Sequence, residues 1–500
     1  MNTIFSRPYW QSALLSGGLV GLAYPPLHLG FLAWIGFIPL FHIWLHCDPK
    51  SSAKYSYLAA ITANLISLYW IGLNSGAGFA PVFASLVGAI LYLGIYWYLF
   101  GMAVSWVHGR TGMGLYCVPF LWVTMEWVRS FGSLGFPWIN LALTQTDYLP
   151  VIQIAEVTGT YGIAFWLMVI NMGVYLLLNK MGEQKKILTL TGIIFISIWL
   201  FGGIRYFSVL NAPAAKQVTI SAIQPNIDPN EKWERSNRYK NIALMDSLLE
   251  KAIQLKPDMV LWPETALPAY LRLSASVRKP LQKRMEKAGI PLLSGTVDRT
   301  IGEKGEKYYY NGSIMIYPDG RLKMYYKIHL VPFAEYIPLS GYFPILKKLN
   351  FGQANFTMGK EYTVFGIDSV KFSNVICYES SLPQLVRKFV REGAQFITIQ
   401  ANDGWLGKSS GPYQHFELAR LRAVENRLTI IRSANTGISG VIYPSGKIVE
   451  KVPLGVQKVF LAKFPIMKNS SIYALYGDVF AMVITIISIV LLGYAWVKRP

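Results

Sequence analysis

The stretch SNVICYESSLP, Ser373–Pro383, places a cysteine beside a carboxylate at a change of backbone pattern. The apolar run Asn374-Val375-Ile376 stops at Cys377, Tyr378 and Glu379 follow, and Ser381 to Pro383 read as a helix opening. A thiol at a helix N-terminus has its thiolate favoured by the helix dipole. Two further segments put ionisable groups where apolar runs end. In LWPETALP, Glu264 lies just past a short apolar strand. An unpaired buried carboxylate is costly, so one placed there calls for a partner or a task. In YYKIHLVPFAEYIPL, Lys327 falls in an apolar strand and Glu335 in a Pro-bounded loop. Together they supply a nucleophile (Cys377), a base (Glu264, if partial burial raises its pKa) and a cation (Lys327). Lys327 and a backbone N–H after Cys377 would stabilise an oxyanion. The same residues also fit an inert core cysteine and a structural Glu264–Lys327 ion pair. A Cys–His dyad through His329 or His415 is equally open. H-E-x-x-H, P-loop and G-x-G-x-x-G patterns are absent and the six histidines are scattered, so neither metal nor cofactor is expected.

What Cys377 can do depends on its compartment. The 500-residue chain is 53% hydrophobic and only 15% charged, against about a quarter in ordinary soluble domains. The acidic residues before 206 number five: Asp48, Glu126, Asp147, Glu156 and Glu183. Uncharged apolar stretches at 83–107, 160–179, 187–204 and 479–497 are long enough to cross roughly 30 Å of hydrocarbon as helices. Weaker candidates lie at 11–28, 30–47, 56–74 and 113–130. The pattern predicts eight transmembrane helices: seven in a membrane domain over 1–205, then a water-facing domain over 206–470, then one more in 471–500.

Basic residues in alternate short loops set the orientation. One set holds Arg7, Lys50, Lys54, Arg110, Lys180, Lys185, Lys186, Lys498 and Arg499; the other holds only Arg129, and its 74–81 loop has no charge. Both termini are therefore expected in the cytoplasm and the 206–470 domain outside it. Glu126 sits near a span, where an acid is either functional or paired, and Arg129 lies one helical turn on. Of three cysteines, Cys47 and Cys117 fall in or beside apolar segments, which leaves Cys377 alone in an oxidising compartment, either inert or a free thiol.

Residues 206–468 carry 36 Lys/Arg against 21 Asp/Glu. For a domain tethered at both ends this excess fits anionic lipid head groups or a solvated face better than nucleic acid. Strand-like and helix-like segments alternate from QVTISAIQPNI through the strand pair around YPSG, which predicts an α/β layered domain. GYFPILKKLNF, 341–351, fits an interfacial arm or an ordinary packed helix, and NDGWLG offers Trp405 as a second lip.

WPETALP, HLVPFAEYIPL and CYES in combination resemble the nitrilase, or carbon–nitrogen hydrolase, superfamily, whose Glu–Lys–Cys triad matches Glu264, Lys327 and Cys377 in order and context. Over essentially its whole length the chain is similar to the bacterial apolipoprotein N-acyltransferase family. One departure is Ala334, where that family usually has Gly. The resemblance implies an αββα sandwich on a polytopic membrane domain of the bacterial inner membrane, with the sandwich on the periplasmic face. It implies that Cys377 takes an acyl chain from a membrane phospholipid and passes it to the α-amine of a diacylglyceryl-cysteine lipoprotein. It also implies that Glu335 supports the triad, that Tyr378 and Glu379 flank the nucleophile, and that Trp233 lines the entrance. A monomer is expected. The alternatives are a membrane-anchored amidase handing the acyl group to water, and a transporter with an accessory domain, which the scarcity of charges within the spans disfavours.

Overall fold

The computed structural model describes residues 7–213, 216–338, 355–467 and 471–498. These divide into two units: residues up to Gly72, Phe83–Leu210 and Ser471 onward form one, and Leu73–Val82 with Asn211–Ser470 the other. The 341–351 segment lies outside the described residues.

The first unit is helical: α1 (Tyr9–Leu22), α2 (Ile38–His46), α3 (Pro49–Leu68), α4 (Phe79–Thr111), α5 (Gly114–Arg129), α6 (Leu149–Ile152), α7 (Ala155–Thr158), α8 (Thr160–Leu178) and α9 (Gln184–Leu210), with Val479–Val497 at the C-terminal end. Among the described residues five helices are long and apolar enough to cross a membrane: Pro49–Leu73, α4, α8, α9 and Val479–Val497. The other segments read as spans form shorter helices, α1, α2 and α5, of 14, 9 and 16 residues. At about 1.5 Å per residue, 16 residues reach roughly 24 Å, short of the hydrocarbon thickness. Glu126 and Arg129 are both buried and pair at 3.8 Å. Glu126 also accepts from the Leu141 N–H at 2.8 Å, and Arg129 donates to the Asn140 side chain at 2.9 Å. They fasten the segment after α5, as expected of a paired group.

The second unit contains β1 (Lys216–Gln224), α10 (Arg235–Gln254), β2 (Met259–Leu261), α11 (Ala275–Ala288), β3 (Leu292–Ile301), β4 (Lys307–Ile316), β5 (Leu322–Tyr326), β6 (Val364–Ile367), β7 (Val370–Ile376), α12 (Pro383–Arg391), β8 (Phe396–Ala401), α13 (Ser410–Asn426), β9 (Thr429–Ala434), β10 (Ser439–Ile442), β11 (Ile448–Val452) and β12 (Lys458–Ile466). Two six-stranded sheets result, ordered β12-β1-β2-β3-β4-β5 and β11-β10-β9-β8-β7-β6. Each has three parallel strands at its centre (β1, β2, β3 and β7, β8, β9) and antiparallel strands outside them.

Side-chain alternation explains the layering. Met259 and Leu261 of β2 join the core between the sheets, whereas Val260 and Trp262 join a second core with Met245, Leu248 and Leu249 of α10 and Met285 of α11. Strands buried on both faces read as continuous apolar runs, and DMVLW is such a run. Helices α12 and α13 send Leu385, Phe389, Phe416 and Ala423 to the core, so the order is helices, sheet, sheet, helices. β12 is not foreseen in the sequence reading; it pairs with β1 and closes the edge of the first sheet.

Candidate active site

Glu264 and Cys377 both sit just past the C-terminal ends of central parallel strands, β2 and β7, the location where α/β sheets usually bind ligands. Glu264 is held there by a close backbone passage. A Cβ on Gly295 of β3 would lie 2.5 Å from both Pro263 O and Thr265 N and 2.6 Å from Glu264 Cα, so only glycine lets the segment pass. The Glu264 carboxylate accepts from Asn311 Nδ2 at 2.8 Å. The same amide nitrogen donates to Glu335 at 2.9 Å, and Glu335 holds Lys327 Nζ through both oxygens at 2.9 and 2.8 Å. Lys327 is one residue past β5 rather than within a strand, and its N–H donates to Asn311 O at 2.9 Å. Glu335 is fixed in turn by the Val331 N–H at 2.8 Å. All four side chains are buried. In this turn the left-handed residue is Phe333 (φ 64°), so the conformation does not demand glycine at Ala334.

Cys377 opens a 3-10 turn, Cys377–Ser381, and α12 starts only at Pro383. Its φ is 51°, a left-handed conformation that costs a non-glycine residue about 1–3 kcal/mol unless neighbours impose it. Neighbours on both sides do so. The Cys377 carbonyl receives Ser380 Oγ at 2.9 Å and His415 Nε2 at 3.0 Å. Behind His415 lie Asp403, 2.7 Å from Nδ1, and Arg432, 2.6 Å from Asp403. Glu379 accepts from the Ile376 N–H at 2.8 Å, from the Ile328 and His329 N–H groups at 2.7 and 3.1 Å, and from Tyr325 OH at 2.7 Å. It thus ties the chain after β5 to the chain before Cys377.

These contacts settle the two histidines. Both ring nitrogens of His415 are engaged, Nε2 by the Cys377 carbonyl and Ser380, Nδ1 by Asp403 and Arg432. Acceptors at both nitrogens suit a doubly protonated ring, while burial and then Arg432 push its pKa down. In either state neither nitrogen is left as a base for the thiol. The ring of His329 is depressed by burial and by Lys388, not by any group of the cluster. Glu264 is the ionisable group whose charge acts most on the Cys377 thiol.

Burial pushes the Glu264 carboxyl up, Lys327 opposes that, and Glu335 adds to it. Lys327 is held charged: burial works against its ammonium, but Glu335 and Glu264 outweigh it. The Cys377 thiol is raised well above its usual range by burial and then by Glu264, with Lys327 only partly offsetting. The expected resting thiolate is therefore corrected. One 3-10 turn carries little dipole, and the charges of Glu264, Asp403 and Glu335 all act against a thiolate. The thiol stays protonated until a base takes its proton. Glu379 is raised to about 7, chiefly by burial.

Of the other residues singled out, Tyr378 is buried in the 3-10 turn. Trp233 is about half exposed (48%) in the turn before α10. Trp405 lies in the 3-10 turn Asp403–Leu406, and its carbonyl accepts from the Ser75 N–H at 2.8 Å. Not foreseen were Asn311, the Asp403–His415–Arg432 network and Tyr325. An amide in the middle of the tyrosine-rich run YYYNGS and an acid in NDGWLG were the available signals. Among the described residues, Cys377, Asp403 and His415 bring donor atoms within 4.8 Å of one another. A cation there would have to displace Arg432, which already neutralises Asp403.

Residues 16–173 match the Apolipoprotein N-acyltransferase N-terminal domain, and residues 219–466 match Carbon-nitrogen hydrolase. Proteins named apolipoprotein N-acyltransferase from Chlorobaculum tepidum and Geobacter metallireducens are 32% and 33% identical to the chain. The alignments cover 96% and 95% of the chain and 94% and 93% of those relatives. The chain belongs to the apolipoprotein N-acyltransferase family. Solved structures include an amidase from Nesterenkonia sp., 18% identical, aligned over 51% of this chain and 94% of its own length with a TM-score of 0.39. The amidase alternative is not favoured, because the apolar N-terminal region itself matches a domain of the apolipoprotein N-acyltransferase family.

Two outcomes follow for the acylation reaction of that family. Gly295→Ala pushes the Glu264 backbone away and should slow acylation of the enzyme by about 100-fold, while overpacking costs the fold only about 1–3 kcal/mol; single-turnover rates and thermal unfolding measure the two separately. Glu264 accepts a proton only when ionised, and its pKa is raised from 4.5. The acylation rate should therefore fall as pH falls, with a half-point above 4.5, whereas a rate flat down to pH 4.5 would remove Glu264 as the base.

Proposed function

We propose that the chain, an acyltransferase of the lipoprotein-modifying family, works by two displacements at Cys377. In the first, Glu264 takes the Cys377 proton and the sulfur attacks an ester carbonyl of a membrane phospholipid. The carbon–oxygen bond breaks, the leaving oxygen takes the proton back, and a thioester and a lysophospholipid result. In the second, the α-amine of a diacylglyceryl-cysteine lipoprotein gives a proton to Glu264 and attacks the thioester, which returns the thiol and leaves an amide. The observation that carries this is that Glu264, Lys327 and Glu335 form one buried cluster through Asn311 and that their charges act on the part-buried Cys377 thiol. Splitting acyl transfer at a cysteine stores the acyl group until the amine arrives.

In this proposal eight apolar segments over 1–205 and 471–500 cross the membrane, although the helices α1, α2 and α5 within three of them are shorter than the hydrocarbon is thick, and the 206–470 domain faces the periplasm. The distribution of basic loops supports that orientation. So does the grouping of residues 73–82, the uncharged loop assigned to the non-cytoplasmic side, with the α/β unit. Within that unit the Ser75 N–H donates to Trp405 O, and the Asn230 side chain donates to Ser75 Oγ at 3.1 Å. Trp233, half exposed, is proposed to line the entrance, and Glu379 and Glu335 to position the nucleophile and the lysine. We propose a monomer acting without a cofactor.

Incubation with phospholipid should leave a hydroxylamine-labile acyl group on Cys377, and Cys377→Ser should carry none that hydroxylamine releases at neutral pH. A label on another residue, or turnover without any acyl-enzyme, would sink the mechanism. Glu264→Gln keeps the Asn311 contact and should block acylation with an unchanged unfolding midpoint. Lys327→Ala strands Glu335 as a buried, unpaired carboxylate and should lose about 3–5 kcal/mol of stability as well as activity.

A further inference from the structure

Lys232, in the turn between β1 and α10, is 1% exposed, yet its Nζ has no hydrogen-bond partner among the described residues. Its backbone carbonyl is held by Asn241 Nδ2 at 3.3 Å, so the turn is fixed. The charge that acts on its amine is Glu264. Burial brings the Lys232 pKa down to about 7, with Glu264 opposing the fall. A buried ammonium with three unspent donors is expensive as pure structure, because an apolar side chain of similar volume is usually as stable or more so.

The charges around the nucleophile suggest what it does. Lys327 is already held by both oxygens of Glu335. With Cys377 protonated, the resting cluster holds Glu264 and Glu335 against Lys327 and Lys232, while Asp403, which also acts on the thiol, is matched by Arg432. When the thiol proton passes to Glu264 and sulfur bonds to the ester carbon, the carbonyl electron pair moves to its oxygen. One negative charge has then left Glu264 and appeared on the oxyanion. When the carbon–oxygen bond breaks, the leaving oxygen takes the proton and the charge returns to Glu264. Lys327, committed to Glu335, is poorly free to follow that movement, whereas Lys232 has donors to spare.

Resting on the proposed two-step reaction, we infer that Lys232 is a further catalytic residue: it compensates Glu264 at rest and hydrogen-bonds the substrate oxyanion while Glu264 holds the proton.

The test compares the full-length chain with Lys232→Met and Lys232→Arg in detergent, using mixed micelles of phospholipid labelled in its acyl chain. Single-turnover acylation of Cys377 is followed against pH. Lys232→Met should lose about 100-fold in rate constant, the scale of one oxyanion donor, with half-saturation by phospholipid unchanged. Its acid limb should move to higher pH, because removing a cation raises the Glu264 pKa. Its unfolding midpoint should be equal or higher, and Lys232→Arg should recover at least part of the rate. A wild-type rate and limb in Lys232→Met overturn the inference alone. So does a loss with an unmoved limb and a lowered unfolding midpoint, which marks a structural lysine. Absence of acyl-enzyme in the wild-type chain overturns the two-step reaction, and this inference with it.

Discussion

One carboxylate, Glu379, joins the two halves of the cluster. It takes the Ile328 and His329 N–H groups and Tyr325 OH from the strand region that carries Lys327, and the Ile376 N–H from the strand that carries Cys377. β5 and β7 belong to different sheets, so these bonds cross the sandwich. Without it four donor groups would lose their partner, and the two buried ones, Tyr325 OH and the Ile376 N–H, would cost about 1–3 kcal/mol each. The register between lysine and cysteine therefore depends on an acid that needs to touch neither substrate nor product. The same carboxylate fixes the residue before the left-handed Cys377, while His415 and Ser380 fix its carbonyl. Strain at one residue persists because both flanks are over-determined.

The pocket gathers ionisable groups that would each be costly alone. Asn311 divides its amide between Glu264 and Glu335, and Lys327 neutralises mainly Glu335. This asymmetry separates the roles of the two glutamates. Glu335 is a fixed counter-charge. Glu264, with one amide contact and a raised pKa, is poised to exchange a proton.

Much of the site was legible because its members stand at the ends of apolar runs. Glu264 and Cys377 are visible in that way, Lys327 stands out as a charge read within an apolar strand, the roles of Glu335 and Glu379 came from the family resemblance, and alternation of strand and helix patterns gave the layered domain. Less legible was whatever depends on contacts distant in sequence. Asn311 looks like any strand amide until β4 places it between two glutamates. His415 reads as a candidate base until its nitrogens are seen facing the Cys377 carbonyl and Asp403. The thiolate expectation failed because Ser381 and Pro383 do mark a helix start, but α12 begins six residues after Cys377. β12 escaped because Leu461, apolar but exposed, blurs the alternation of the inward residues Phe460, Ala462, Phe464 and Ile466 with the solvated face of this edge strand. The short helices α1, α2 and α5 show a similar limit. Apolar length in sequence measures hydrophobicity, whereas caps and turns set how much of it is helix.

A cysteine kept protonated has a consequence for its compartment. Oxidation and adventitious acylation both require the thiolate, and among the described residues no second cysteine of the α/β unit is present to form a disulfide. In the periplasmic setting proposed above, raising the thiol pKa by burial and by nearby carboxylates keeps the sulfur dormant in an oxidising space. The proton then leaves only when its departure is coupled to bond formation, because the negative charge must have somewhere to go. In water that place is the solvent. In the proposed reaction it is the oxygen of a bound ester, close to cations that the resting enzyme already holds. On that proposal, selectivity for a lipid ester over small oxidants arises from the same burial that makes the thiol unreactive alone.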